Sequence, residues 1–146
     1  MSEPVRMGRA SRRHRVLLGE GKRAVADEVP AAFGIARADV NGAPGLAIRG
    51  EVDVSVSPVL EQAVDRAIRG SVGAFVLDLC DVDFLDSTGL GVILRARALL
   101  ARDERELAIV CPPGSARRLF ELAGVTDLLV LYETREEVAA ALVPAE

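Results

Sequence analysis

The sequence predicts an α/β fold: a mixed sheet of four to five strands, opened by a hairpin and continued by alternating strands and helices, packed with about four α-helices. Three observations predict it. Short apolar stretches of strand character alternate with stretches of helical period between Phe33 and Leu142, the pattern of a sheet layered with helices. The run Ala74 to Leu79 is almost continuously apolar, which marks a central strand covered on both faces. Asn41-Gly42-Ala43-Pro44-Gly45 separates two apolar stretches and reads as the turn of an antiparallel hairpin, which makes the sheet mixed.

The elements follow in order. Phe33 to Val40 and Leu46 to Val54 are the hairpin strands. Ser57-Pro58 supplies an N-cap and a proline at the first helical position, and Leu60, Val64, Ala67 and Ile68 form one apolar stripe that stops at Gly70. Ala74 to Cys80 is the buried strand, and a helix running to about Ala101 places Leu90, Ile93, Leu94 and Ala98 inward, with Arg95 and Arg102 in solvent. Leu107 to Cys111 is the next strand, halted by Pro112-Pro113-Gly114. Ser115 caps a short helix with Leu119, Leu122 and Ala123 on its core side and Gly124 as its stop. Val125 to Leu131 allows an edge strand. Thr134 to Glu137 matches the capping box and starts the last helix, through about Leu142.

A chain of 146 residues, half of them apolar, fits a single domain with a proper core. That domain is expected over residues 31–146, after a disordered basic arm over residues 1–30. The arm carries Arg6, Arg9, Arg12, Arg13, Arg15, Lys22 and Arg23, without aromatic residues or a sustained apolar face. The net charge of −4 divides into +3 through Glu28 and −7 beyond it, so the domain itself is not drawn to nucleic acid. No apolar run approaches the roughly 18 residues of a membrane span, and a secretory leader is not evident; a cytoplasmic protein is expected. Cys80 and Cys111 both end apolar runs and read as buried thiols rather than a disulfide.

The chemistry concentrates in Phe84 to Leu94, FLDSTGLGVIL, at the junction between the buried strand and its helix. Asp86, Ser87 and Thr88 are cap-forming types, whose oxygens satisfy the orphan N–H groups of a first helical turn. Gly89 and Gly91 each cost about 1 kcal/mol relative to Ala inside a helix, which points to a use for bare backbone, such as close approach by a partner. A hydroxyl at a helix N-terminus is also well placed to carry a phosphate. Other chemistries fit less well. The one histidine, His14, and the one lysine, Lys22, both lie in the arm, so Ser87 has no base to activate it as a nucleophile. Gly21-Lys22 lacks the remaining residues of a phosphate loop. Asp78, Asp81, Asp83 and Asp86 crowd the approach to the helix without calcium-loop spacing, and an aspartyl-phosphate site on Asp78 wants a lysine that the domain lacks. No catalytic residue, metal or cofactor is therefore assigned.

DLCDVDFLDSTGLGVIL, together with GEVD at Gly50 to Asp53, closely resembles the STAS domain of bacterial anti-sigma factor antagonists. The resemblance covers roughly Phe33 to Leu142 and is specific at the DSTGLG turn. It implies a STAS-type sheet and a protein that is not an enzyme. It also implies that Ser87 is phosphorylated by an anti-sigma factor that is itself a serine kinase and that supplies the ATP and Mg²⁺. Asp86, Ser87, Thr88, Gly89 and Gly91, with Glu51 and Asp53 from a neighbouring loop, are then the partner-binding residues. Unphosphorylated, such a protein, monomeric when free, binds the kinase and frees a sigma factor; phosphorylated, it lets go until a PP2C-type phosphatase resets it. The alternative that stays open is a STAS module without the switch, a fixed adaptor in a stressosome or an ABC-type lipid transport complex. A small-ligand or metal-binding domain is the third class.

Overall fold

The computed structural model describes residues 33–142. The expected basic arm, residues 1–30, lies outside the described residues. The elements are β1 (Gly34–Arg37), β2 (Gly45–Val52), α1 (Ser57–Arg69), β3 (Phe75–Leu85), α2 (Ser87–Ala101), β4 (Leu107–Val110), α3 (Ser115–Ala123), a 3₁₀ turn (Thr126–Leu128), β5 (Val130–Tyr132) and α4 (Arg135–Ala141). The sheet order is β1-β2-β3-β4-β5. β1 pairs antiparallel with β2, and β2, β3, β4 and β5 are parallel. The mixed α/β sheet, its opening hairpin and the central position of β3 are as the sequence predicts.

The hairpin closes on Asn41 (φ 53°) and Gly42 (φ 86°), with Val40 and Ala43 exchanging backbone hydrogen bonds of 2.9 and 2.8 Å. Two residues of positive φ between paired partners make a turn whose twist suits the flanking strands. The inward side chains of β2 and β3 pack against Leu60, Val64 and Ile68 of α1, Leu90, Ile93 and Leu100 of α2 and Phe120 of α3. The opposite sheet face carries Val76, Ala108 and Val110, covered by Val138 of α4. There Asp78, 5% exposed, receives Arg135 of α4, which also reaches Asp81 at 3.6 Å.

Several local expectations are corrected. Ser57 does not cap α1 with its side chain; the cap position is Val56, held by a turn over the Asp53 carbonyl, and Ser57 itself is buried. β3 does not end at Cys80 but runs to Leu85, because β2 accompanies it through Glu51↔Phe84 and Val52↔Leu85. The acids Asp78, Asp81 and Asp83 are therefore strand residues, spread along β3. Ala98 is exposed, and Val92, Ala96 and Leu100 take its expected place inward. α3 buries Ala116 and Phe120; Leu122 is 79% exposed and Ala123 is exposed too. The Ser115 hydroxyl donates to the Asp83 carbonyl at 3.0 Å instead of capping its own helix. Val125 to Leu131 folds first as the 3₁₀ turn and only then as the three-residue edge strand. The capping box holds in its first half: the Thr134 hydroxyl accepts from the Glu137 N–H at 3.1 Å, while the Glu137 carboxylate accepts from Glu133 N–H at 2.8 Å, one residue early. Gly124 ends α3 in the left-handed region at φ 72°.

Candidate functional site

The site is the corner where the ends of β2 and β3 meet the start of α2. Its two halves are stitched together by the Asp86 N–H, which donates to the Val52 carbonyl at 3.1 Å. The GEVD residues fall at the end of the second hairpin strand, as the strand expected over Leu46 to Val54 implies, and not in the neighbouring loop that the partner-binding reading gave them. Gly50 to Val52 finish β2, with Gly50 at φ 93° beside a register irregularity, and only Asp53 has left the strand. Glu51 and Asp53 thus lie next to Phe84 to Asp86, through the pairings Glu51↔Phe84 and Val52↔Leu85. Asp53 Oδ1 accepts from the Ser55 N–H at 3.0 Å and the Ser55 hydroxyl at 2.6 Å, so this carboxylate shapes the turn into α1 while Glu51 stays exposed.

Asp86 caps α2. Its Oδ1 accepts from the Thr88 hydroxyl at 2.6 Å and from the N–H groups of Thr88 and Gly89 at 2.9 and 3.1 Å. The Thr88 hydroxyl, then the Gly89 and Thr88 N–H groups, hold the Asp86 carboxyl below its ordinary range against the opposing effect of burial. Asp86 is therefore ionised at neutral pH. Asp86 and Thr88 between them do the capping, and Ser87 is left over. It is exposed, and its hydroxyl makes no hydrogen bond among the described residues.

The two glycines divide. Gly89 is buried, and a Cβ there would meet Leu85 Cδ1 at 2.6 Å and Val52 Cγ1 at 2.8 Å. It is bare because α2 presses onto the two strand ends, not because it lies on the surface. Gly91 is exposed, and a Cβ added there would have nothing within 4 Å of it. Only Gly91 offers bare helix backbone to an outside surface.

Two residues at the corner escape sequence reasoning. Phe84 is 47% exposed and Val54 67% exposed, apolar side chains open to water near the ends of β3 and β2. The clue for Phe84 is an aromatic standing among Asp81, Asp83 and Asp86, at a position that strand alternation sets opposite the buried Leu85. Val54 carries no clue, since its exposure depends on where the loop after β2 turns. Among the described residues no three His, Cys, Asp or Glu side chains converge on a cation site, and no helix is long and apolar enough to cross a membrane.

The family model for the STAS domain matches residues 37–138, from β1 into α4. The chain belongs to the STAS domain family. Within it, this STAS domain is 32% identical over 89 residues to the anti-sigma-B factor antagonist of Staphylococcus aureus, 61% of this chain and 82% of that protein. Among solved structures, an anti-sigma factor antagonist from Mycobacterium paratuberculosis superposes with a TM-score of 0.72 at 27% identity, covering 80% of this chain and 99% of that one. SpoIIAA of Bacillus, an anti-sigma factor antagonist solved in unphosphorylated and phosphorylated forms, superposes at a TM-score of 0.55 for both, at 22% and 20% identity. The matches cover 77% and 75% of this chain, and 97% and 99% of those; they show the fold alone. This STAS domain is thus of the anti-sigma factor antagonist family, whose members are regulatory binding proteins.

Proposed function

We propose that this protein is a phospho-switched anti-sigma factor antagonist acting in the cytoplasm, with Ser87 as the switch. Unphosphorylated, the corner of Ser87, Thr88 and Gly91, with Glu51, Asp53 and Asp86 around it and Phe84 and Val54 as its apolar contacts, docks on an anti-sigma factor kinase and so frees a sigma factor. The kinase brings the ATP and Mg²⁺. The observation that carries this reading is the exposed Ser87 hydroxyl, without a hydrogen bond among the described residues, beside an already completed cap: the helix start does not use it, which leaves it open to a kinase. The occurrence of SpoIIAA in both phosphorylation states is consistent with such chemistry on this fold.

Phosphorylation adds about −1.5 to −2 charges at pH 7. At the N-terminus of α2 that anion is tolerated by the helix dipole, so the fold survives. Buried against a partner beside the ionised Asp86 it is not tolerated. An unpaired anion desolvated there costs several kcal/mol, and each ~1.4 kcal/mol is tenfold in affinity, so release by a factor of hundreds follows. A PP2C-type phosphatase returns the hydroxyl. The test is to incubate the protein with the cognate kinase and Mg-ATP and to map the phosphate by mass spectrometry. Phosphate on Ser87 is expected; phosphate on Ser115, or none, defeats the assignment. Ser87→Asp keeps the circular dichroism spectrum of the parent and loses kinase binding. An unfolded variant would make Ser87 a structural residue instead.

A further inference from the structure

The sheet face that carries α4 is only partly covered. α4 packs chiefly on β4 and β5, with Val138 also reaching Val76 of β3, and Arg135, at its N-terminal end, closes on Asp78 and Asp81. Beyond that ion pair, toward the ends of β2 and β3 that hold Glu51 and Phe84, the same face stays exposed among the described residues. Phe84 is half exposed there, its pairing partner Glu51 is exposed, and Asp81 and Asp83 are exposed along the strand. Among the described residues the cations on this face include Arg135, engaged by the two aspartates, and Arg49, whose guanidinium lies over Gly34. Among the described residues an apolar ring rimmed by carboxylates is left half exposed.

The topology says which part of the chain enters beside it. β1 is antiparallel to β2, so its first residue, Gly34, pairs with Arg49, which in turn pairs with Asp81. The segment before Phe33 therefore joins the sheet at the end that holds Phe84 and Ser87, two strands away. At about 4.8 Å per strand and 3.3 Å per residue, Phe84 is on the order of 15 Å from Gly34. Within that segment, Arg12-Arg13-His14-Arg15 is followed directly by Val16-Leu17-Leu18. The fifteen residue steps from Leu18 to Phe33 can span up to about 50 Å, well beyond the need.

We propose that Arg12 to Leu18 dock on this open face, with Val16, Leu17 and Leu18 against Phe84 and the arginines against Glu51, Asp81 and Asp83. A second copy of the domain is a poorer occupant, because the chain beyond Glu28 carries −7 and two such faces repel. Docking on the same chain needs little intrinsic affinity. Because Phe84 is three residues from Ser87 in the chain, at the same end of β3, a docked segment places its charge near the switch. If the functional reading above holds, phosphate on Ser87 adds negative charge to the same rim and tightens the docking, so the segment competes with the kinase most strongly after release.

The test uses the full chain and no kinase. Amide NMR spectra of the parent and of the Arg12→Glu, Arg13→Glu, Arg15→Glu variant are compared at low salt. We expect shift differences centred on Glu51 and on Asp81 to Phe84 that collapse near 0.5 M salt, where the Debye length falls to a few ångströms. Val16→Ser, Leu17→Ser, Leu18→Ser should move the same amides. Spectra that coincide outside residues 1–32 overturn the proposal, as do differences centred on Leu122 and Leu128, or shifts in the parent that depend on protein concentration and so report a second copy. Failure here leaves the phosphorylation of Ser87 intact, and failure of that phosphorylation leaves this docking intact.

Discussion

The Thr88 hydroxyl donates to Oδ1 of Asp86 at 2.6 Å, and this one contact separates the residues that build the corner from Ser87, which the cap does not use. Asp86 also takes the Thr88 and Gly89 N–H groups, so the cap is complete without Ser87. Asp86→Ala should destabilise the fold by about 1 kcal/mol, the usual loss for a capping residue, and Ser87→Ala should leave stability unchanged within a few tenths. The pH dependence has a definite sign. The folded-state pKa of Asp86 lies below its ordinary value of 3.8, so its contribution is fully present above about pH 4 and is lost as pH falls through the depressed folded value. Urea unfolding between pH 2 and 6 checks both points: the Asp86→Asn variant should lose less stability on acidification than the parent.

Gly89 and Gly91 lie two residues apart on α2 and should respond to alanine with opposite signs. At Gly89 the added methyl meets Leu85 and Val52 at distances real Cβ atoms do not adopt. The overpacking cost of about 1–3 kcal/mol then outweighs the gain in helix propensity. At Gly91 the methyl meets nothing, and the helix gains up to about 1 kcal/mol. Denaturant midpoints of the two variants check the signs. If the corner docks flush on its kinase, Gly91→Ala also weakens that binding while the free protein becomes more stable.

These two glycines show what the sequence could and could not reveal. The strand-to-helix turn, the hairpin, the central strand and the stop at Gly124 were legible because each rests on local chemistry: a cap, a positive-φ turn, an unbroken apolar run, a left-handed glycine. Gly89 and Gly91 look alike in sequence; only the packing of α2 on Val52 and Leu85 tells them apart. The same holds for Leu122, which continues a helical period yet faces water because α3 turns Ala116 and Phe120 inward. The length of β3 was hidden by its acids, since Asp81 and Asp83 suggest a loop until β2 is known to run alongside. Arg135 and Asp78 are 57 positions apart, and nothing local joins them.

That pair gives the last prediction. Asp78 is buried on β3, with one oxygen accepting from the Cys80 N–H at 2.9 Å and the other held by Arg135. Arg135→Ala removes the cation and leaves a buried carboxylate half satisfied, which costs about 1–3 kcal/mol. Replacing both partners by apolar groups, Asp78→Val with Arg135→Leu, should recover much of that loss, because no stranded charge remains. The Cys80 thiol reports on the same spot. Burial first, then its hydrogen bond to Asp78 and the charge of that carboxylate, push its pKa up to about 11, with Arg135 acting in the opposite direction. Alkylation of the folded parent at Cys80 should therefore be slow at pH 8 and rise steeply only toward pH 11. At pH 8, Asp78→Val with Arg135→Leu should react faster than Arg135→Ala, because the carboxylate that raises the thiol is gone. Equal rates would show that Asp78 does not act on Cys80.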